Sequence, residues 1–325
     1  MELKRKGDIM TYREDIKIVD CTLRDGGLVN DFYFSDDFVK DLYLANLKAG
    51  VDYMEVGYKA SKEVFDVTKF GKWKFCDEQD IRAIVGNNDS DMKLSVMLDV
   101  GRTDMKTLPE KCDSVVDLTR IACYIHQIPS AIEMIEEATA KGYETTVNVM
   151  AVSTAKESEI DMALEILGKS SVGTIYLVDS YGSLYPEEMR DLADKYLEAG
   201  EKFGKKIGIH AHNNQQLAFA NTIEVASMGV SYLDSTVSGL GRGAGNCATE
   251  LLMGFLKNPK YDVTPILKFV EKHILALRKQ GSVWGYDVPY ALTGRLNQHP
   301  RAAIKFIADE RTDYADFYHG LTDQE

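Results

Sequence analysis

Proline is scarce in this chain, 7 in 325 residues, tryptophan is scarcer at 2, and the five cysteines lie far apart with no CxxC pair. An odd number of isolated thiols argues against a disulfide frame or a thiolate zinc site and leaves reduced, mostly buried side chains. Positive charge is also short: 38 Lys+Arg stand against 51 Asp+Glu, a net charge of -13. That balance disfavours nucleic acid or an anionic membrane as a partner. No run approaches the roughly 18 apolar residues of a membrane span, and the basic start MELKRKGDIMTYRED has no apolar stretch behind it. With 45% hydrophobic and 27% charged residues, the composition is that of a globular protein rather than a disordered or collagenous one, and a cytoplasmic location is expected.

Eight short β-branched runs are present, at 16–22, 52–58, 94–100, 114–122, 144–150, 173–179, 206–212 and 230–237. Several are almost continuously apolar, as strands buried on both faces of a parallel sheet are. Helical patterns lie between them. Ser35 with Asp36 and Asp37 opens one that runs to Gly50, Ser130 with Glu133 forms a capping box for one ended by Gly142, and Pro186 stands where a first helical residue would. Eight strands with helical crossovers predict an α/β fold, a closed (β/α)8 TIM barrel over 16–257, with a doubly wound open sheet as the alternative. Residues 1–15 read as a frayed arm. Residues 258–325, where Thr264 and Pro265 open a further helix, read as a small helical appendage.

In such a barrel the chemistry sits at the C-terminal ends of the strands. Those ends carry Arg24, Asp25, Glu55, Asp99, Arg120, Asn148, Asp179, His210, His212 and Asp234, and Glu55, Asn148 and Asp179 are candidates for substrate binding. His210 and His212 alternate on one strand and therefore face the same side. Asp25 is their neighbour only if the barrel closes, and the three would form a two-His, one-carboxylate metal site with open positions. The alternative is a pair of histidines that hold no metal. Arg24 either faces a developing negative charge or belongs to a structural ion pair. Behind the eighth run, Gly239-Leu240-Gly241-Arg242-Gly243-Ala244-Gly245-Asn246 fits GxGxxA, but no βαβ units follow it as a dinucleotide fold requires. A barrel loop whose backbone at Gly241 and Gly243 can hold an anion, or a plain turn, fits better.

Together TLRDG (22–26), HAHN (210–213) and STVSGLGRGAGN (235–246) resemble the DRE-TIM metallolyases, the superfamily of HMG-CoA lyase and the isopropylmalate synthases. The likeness runs from about residue 16 to 303 and is closest to the 4-hydroxy-2-oxovalerate aldolase branch. It implies Mn²⁺ or Mg²⁺ held by Asp25, His210 and His212, with Asn246 as a further ligand or neighbour. A 2-oxo acid would chelate that cation, Arg24 would help to stabilise the enolate, and Tyr286 or Tyr290 would reach towards the reacting hydroxyl. One position departs from the branch: its general-base histidine falls at Leu28 here. Tyr58, Tyr124, His126 or a metal-bound water would have to serve instead, or the substrate differs.

The expected function is cleavage or formation of a 4-hydroxy-2-oxo acid through a pyruvate enolate, so the partners are a 2-oxo acid and an aldehyde. Alternatives are a Claisen-type synthase using an acyl-CoA, an Fe(II) oxygenase, and a barrel retained only for binding. The dehydrogenase that docks on some aldolases is not expected, because the chain stops soon after the appendage. Trp284, Tyr286 and Tyr290 could form a homo-oligomer interface.

Overall fold

A computed structural model describes residues 13–323; most of the predicted N-terminal arm therefore lies outside the described residues. Eight parallel strands close into a barrel in sequence order. They are β1 (Lys17–Asp20), β2 (Tyr53–Tyr58), β3 (Lys93–Asp99), β4 (Leu118–Tyr124), β5 (Glu144–Met150), β6 (Thr174–Asp179), β7 (Lys206–Ala211) and β8 (Tyr232–Ser235). Pairing of Lys17 to Asp20 with Tyr232 to Ser235 closes the ring, which excludes the doubly wound alternative. Among the described residues no helix is long and apolar enough to cross a membrane.

The helices start and stop largely where their caps require. Ser35 accepts a hydrogen bond from Phe38 N ahead of the helix Asp36–Ala49, and Gly50 closes it with φ 77°. Pro186 is the first residue of Pro186–Phe203. Two boundaries differ from expectation. The helix placed at Ser130 begins at Ile128, because Gln127 Oε1 already accepts from Tyr124 N and Pro129, which has no N–H to satisfy, fits the first turn. The first strand stops at Asp20, and Thr22–Gly26 is a short helix.

Alternation along the strands sends one set of side chains into the barrel and the other against the helices. Val19, Cys21, Tyr53 and Leu118 form an apolar cluster, whereas Asp20 on the other face accepts from Asn46 in the helix behind it. Above the apolar layer lies a polar one. Arg120 is fully buried, with its guanidinium 4.6 Å from the Tyr176 ring centroid. Tyr176 has room because its neighbour is Gly208: a Cβ there would stand 2.6 Å from the ring.

Beyond the barrel, the run Thr264–Phe269 continues through a wide turn at Val270–Ile274 into Leu275–Lys279 and packs on the helix Asp36–Ala49, with Phe269 5.0 Å from Phe38. Three further helices, Val288–Arg295, Arg301–Ala308 and Tyr314–Thr322, share a small core of Ala303, Phe306, Phe317 and Leu321. Asn297 ties this group to the barrel mouth by accepting from Ser153 Oγ (2.7 Å) and Ser183 Oγ (2.9 Å).

Candidate metal and substrate site

The short helix after β1 turns Arg24 and Asp25 over the mouth of the barrel, where they line a cavity of about 430 Å³ with Tyr58, Asn148, His210 and His212. Ligand atoms of Asp25, His210 and His212 lie within 4.8 Å of one another, all on buried side chains. His210 Nδ1 donates to Asp234 Oδ2 at 2.9 Å, which turns the lone pair of Nε2 towards Asp25 Oδ2, 3.1 Å away. Neither of those two atoms has a hydrogen-bond partner, nor has the buried Asn246 Oδ1. Two acceptors this close need a proton or a cation between them. His212 Nδ1 lies 3.1 Å from the Asp179 carbonyl and donates to it, leaving Nε2 as its free ligand atom. Burial, then the neighbouring His210, pushes the His212 imidazole down to about 3, so it stays neutral as a ligand must. Burial opposes the charge on Asp25, yet Arg24 and then His210 hold its carboxyl well below the usual carboxylate range. The donor set therefore fits a divalent cation. A second group, Cys21, His210 and Asp234, does not: Arg120 Nη1 already points at Cys21 Sγ, and burial pushes that thiol up.

A closed ring of charges supports the three residues. Arg24 Nη1 donates to Asp25, and Arg24 Nε donates to Glu55 Oε2 at 2.8 Å. Arg120 reaches the same Glu55 oxygen at 3.0 Å and Asp234 at 2.5 Å. Asp234 holds His210, and His210 faces Asp25 again. Two guanidiniums against three carboxylates leave one negative charge in excess, which a bound cation would neutralise. Arg24 is thus an ion-pair member that also lines the cavity.

Several expected positions differ. Glu55 does not face the cavity; Arg24 and Arg120 share one of its oxygens inside the barrel. Asp179 is also turned away: its carboxylate accepts from the Ser183 and Leu184 amides at 3.0 and 3.3 Å, because the chain after β6 folds back over the strand end. Gly241 and Gly243 do not line the cavity either. A Cβ at Gly241 would strike Asn246 Nδ2 at 2.2 Å, and Gly243 has φ 65° with the Tyr290 ring beside it; both shape the loop that presents Asn246 and Arg242. Tyr286 is 64% exposed, and Tyr290 packs against Gly243 instead of entering the cavity. Trp284 is not available for an interface, since its indole is buried and donates to the Ser238 carbonyl.

Leu28 does stand on the cavity wall. Of the suggested substitutes for a base there, burial pushes the Tyr58 phenol up, Tyr124 lies at the rim, 38% exposed, and His126 stacks on Tyr124 without lining the cavity. Residues not anticipated as functional line it instead: Lys74 from the loop after β2, Arg102 after β3, Ser180 and Tyr181 after β6, and His299 and Arg301 from the C-terminal helices. Arg242, the basic residue of GLGRGAGN, lines it too, and its place in that loop was a visible signal. Lys74 had none, since its loop has no periodicity to place it.

Comparison with known proteins places the chain in a family. Residues 15–275 match the HMGL-like family. An oxaloacetate decarboxylase of Mycobacterium tuberculosis is 28% identical over 250 residues, covering 76% of this chain and 71% of that protein. A 4-hydroxy-2-oxovalerate aldolase of Bacillus cereus is 26% identical over 307 residues, covering 91% and 88%. The N-terminal domain of a putative aldolase from Bacteroides vulgatus superimposes with a TM-score of 0.78 at 28% identity, over 90% of this chain and 96% of that one. The chain belongs to the HMGL-like family, whose members include carbon–carbon lyases of the aldolase and decarboxylase types.

Proposed function

We propose that this protein is a divalent-metal-dependent lyase that cleaves or forms a carbon–carbon bond in a 4-hydroxy-2-oxo acid, with pyruvate as the enolised half. The observation that carries this reading is the convergence of Asp25, His210 and His212, with unpartnered ligand atoms, on an open cavity shared with Arg24. A 2-oxo acid would chelate Mn²⁺ or Mg²⁺ there through its carboxylate and ketone oxygens, and the cation would supply Lewis acidity at the ketone. Asp25 and the two imidazoles would hold the cation, and the unpartnered Asn246 Oδ1 would be available as a further ligand. Arg24 is fixed by Asp25 and Glu55 through Nη1 and Nε, and its Nη2 is left to donate to the oxygen on which negative charge develops. Asn148, on the cavity floor, binds the oxo acid. In the cleavage direction the 4-hydroxyl gives its proton to a water in the cavity, the bond between C3 and C4 breaks as C4 becomes the carbonyl of the released aldehyde, and the bond's electron pair passes to the enolate, which takes a proton from water at C3 to give pyruvate.

Leu28 favours one second reading. Loss of CO₂ from a 2-oxo acid bearing a carboxylate at C3 needs no group to deprotonate a hydroxyl, and one similar protein is named an oxaloacetate decarboxylase.

The deciding experiment is deuterium incorporation into the methyl group of pyruvate in D₂O, read by mass spectrometry with Mn²⁺ or Mg²⁺ and with a chelator control. Metal-dependent exchange is expected. Its absence, with metal demonstrably bound, would overturn the pyruvate reading and turn attention to a Claisen-type synthase. Oxaloacetate consumption outpacing cleavage of every 4-hydroxy-2-oxo acid would favour the decarboxylase.

A further inference from the structure

Lys74 is a buried cation, 7% exposed, on the wall of the cavity. Among the described residues its ammonium has neither hydrogen bond nor ion pair. Its neighbours are aromatic faces: Phe65 at 4.2 Å, Tyr58 at 4.4 Å, Phe32 at 5.0 Å and Phe70 at 5.7 Å. Rings attract an ammonium but cannot accept its three N–H bonds as oxygens do. Asp99, the cavity carboxylate whose charge acts on Lys74, is engaged with Arg102 at 3.5 Å. Burial lowers the Lys74 ammonium to about 8, with Asp99 opposing, so it is mainly charged at neutral pH and short of a partner.

The cage is constructed at a conformational cost. Asp31 and Phe32 both have positive φ, 52° and 66°, unusual for residues with a Cβ. Gly71 lets the loop approach them, because a Cβ there would stand 2.0 Å from the Phe32 carbonyl oxygen. Two more cavity cations, Arg242 and Arg301, have no carboxylate partner among the described residues, and Arg242 Nε is buried and unpartnered. In a chain of net charge -13, one cavity with three unpaired cations has more positive charge than a single 2-oxo acid carboxylate needs.

We propose that the other half of the substrate ends in a carboxylate or a phosphate, and that Lys74 binds this group. The proposal rests on the lyase reading above, to which it adds the chemical class of the aldehyde. Cations that hold a carboxylate as an anion also oppose its loss as neutral CO₂, so the charge at Lys74 suits a carboxylate that is kept.

The test pairs pyruvate with aldehydes of matched carbon skeleton: succinic semialdehyde and glycolaldehyde phosphate against butanal and glycolaldehyde. Bond formation is read by mass spectrometry in the metal-loaded full chain. At least one anionic aldehyde is expected to exceed its neutral counterpart in kcat/KM by about 100-fold, the worth of a charged hydrogen bond. Lys74→Gln should collapse that ratio and Lys74→Arg should retain most of it. The choice between succinic semialdehyde and the phosphate identifies the anion. A wild-type ratio near one, a ratio unchanged in Lys74→Gln, or equal loss with all aldehydes would overturn the proposal, the last by making Lys74 a proton carrier. Calorimetric titration with succinate and with inorganic phosphate separates the two readings. Lys74-dependent binding without pyruvate exchange would remove the lyase reading and keep the anion site, and exchange without such binding would do the reverse.

Discussion

Asp25 Oδ2 and His210 Nε2 face each other across 3.1 Å because other groups have claimed every alternative orientation: Arg24 holds the second Asp25 oxygen and Asp234 holds Nδ1. His210→Ala or Asp25→Asn should therefore abolish tight Mn²⁺ binding. Asp234→Asn, which only releases the imidazole, should weaken it by about 10- to 100-fold. Titration calorimetry reads all three, and full affinity in His210→Ala would remove the site. Arg24→Ala should keep the metal and lower turnover by about 100-fold or more, because one donor to a developing oxyanion is gone. At this scale the sequence was readable where one strand fixes the geometry, as in the alternation of His210 and His212. It was misleading where a polar residue at a strand end turns inward. Glu55 and Asp179 look identical in sequence to residues that face substrate, and only their partners, two guanidiniums in one case and two backbone amides in the other, decide the matter.

The second strand illustrates what a single element contributes. Its register with β3 slips between Glu55 and Tyr58, so Glu55 points into the barrel while Tyr58 lines the cavity above it. Gly57 makes the slip possible: its φ is 149°, and a Cβ would stand 2.0 Å from the Trp73 carbonyl oxygen. Gly57→Ala should destabilise the protein by about 2 kcal/mol or more through this backbone clash and should disturb Tyr58, one ring of the Lys74 cage. Urea unfolding with an unchanged midpoint would contradict it. The same strand was legible as β-structure from its apolar run, but the slip was not, since YMEVGY has the alternation of an ordinary strand. The loop that follows was opaque for a different reason: it is held by the approach of Gly71 to Asp31 and Phe32, far away in sequence, and not by any repeat of its own.

Closure of the barrel places charged groups in surroundings that water does not reach, and the whole molecule responds to pH. Burial raises the Asp20 carboxyl to about 6, although Thr22 and Asn46 donate to it. A carboxyl raised in the folded state supports folding while it is protonated, so this contribution is complete below about pH 4 and is lost as pH rises through 6. Asp20→Asn removes the dependence. Asn46 Oδ1 has no partner, so its amide can turn to accept from the new Asn. The stability of Asp20→Asn relative to wild type should therefore grow by about 2 kcal/mol between pH 4 and 7. Parallel urea-unfolding curves for the two proteins across that range would show that Asp20 ionises without penalty.

The number of strands, their parallel order and the end of the barrel at which Asp25, His210 and His212 meet a cavity followed from the sequence alone. Apolar runs alternating with capped helices require parallel strands joined by helical crossovers, and each motif sits within a single strand end or loop; closure of the ring, against the open sheet the same pattern allows, was decided by the pairing of β1 with β8. The tertiary structure decided which charged residues are structural and which face the cavity. It also brought Lys74, Arg242 and Arg301 to one cavity from a loop, a glycine-rich turn and a C-terminal helix. Those choices depend on contacts between residues distant in sequence and on the expulsion of water around them, and local pattern carries neither.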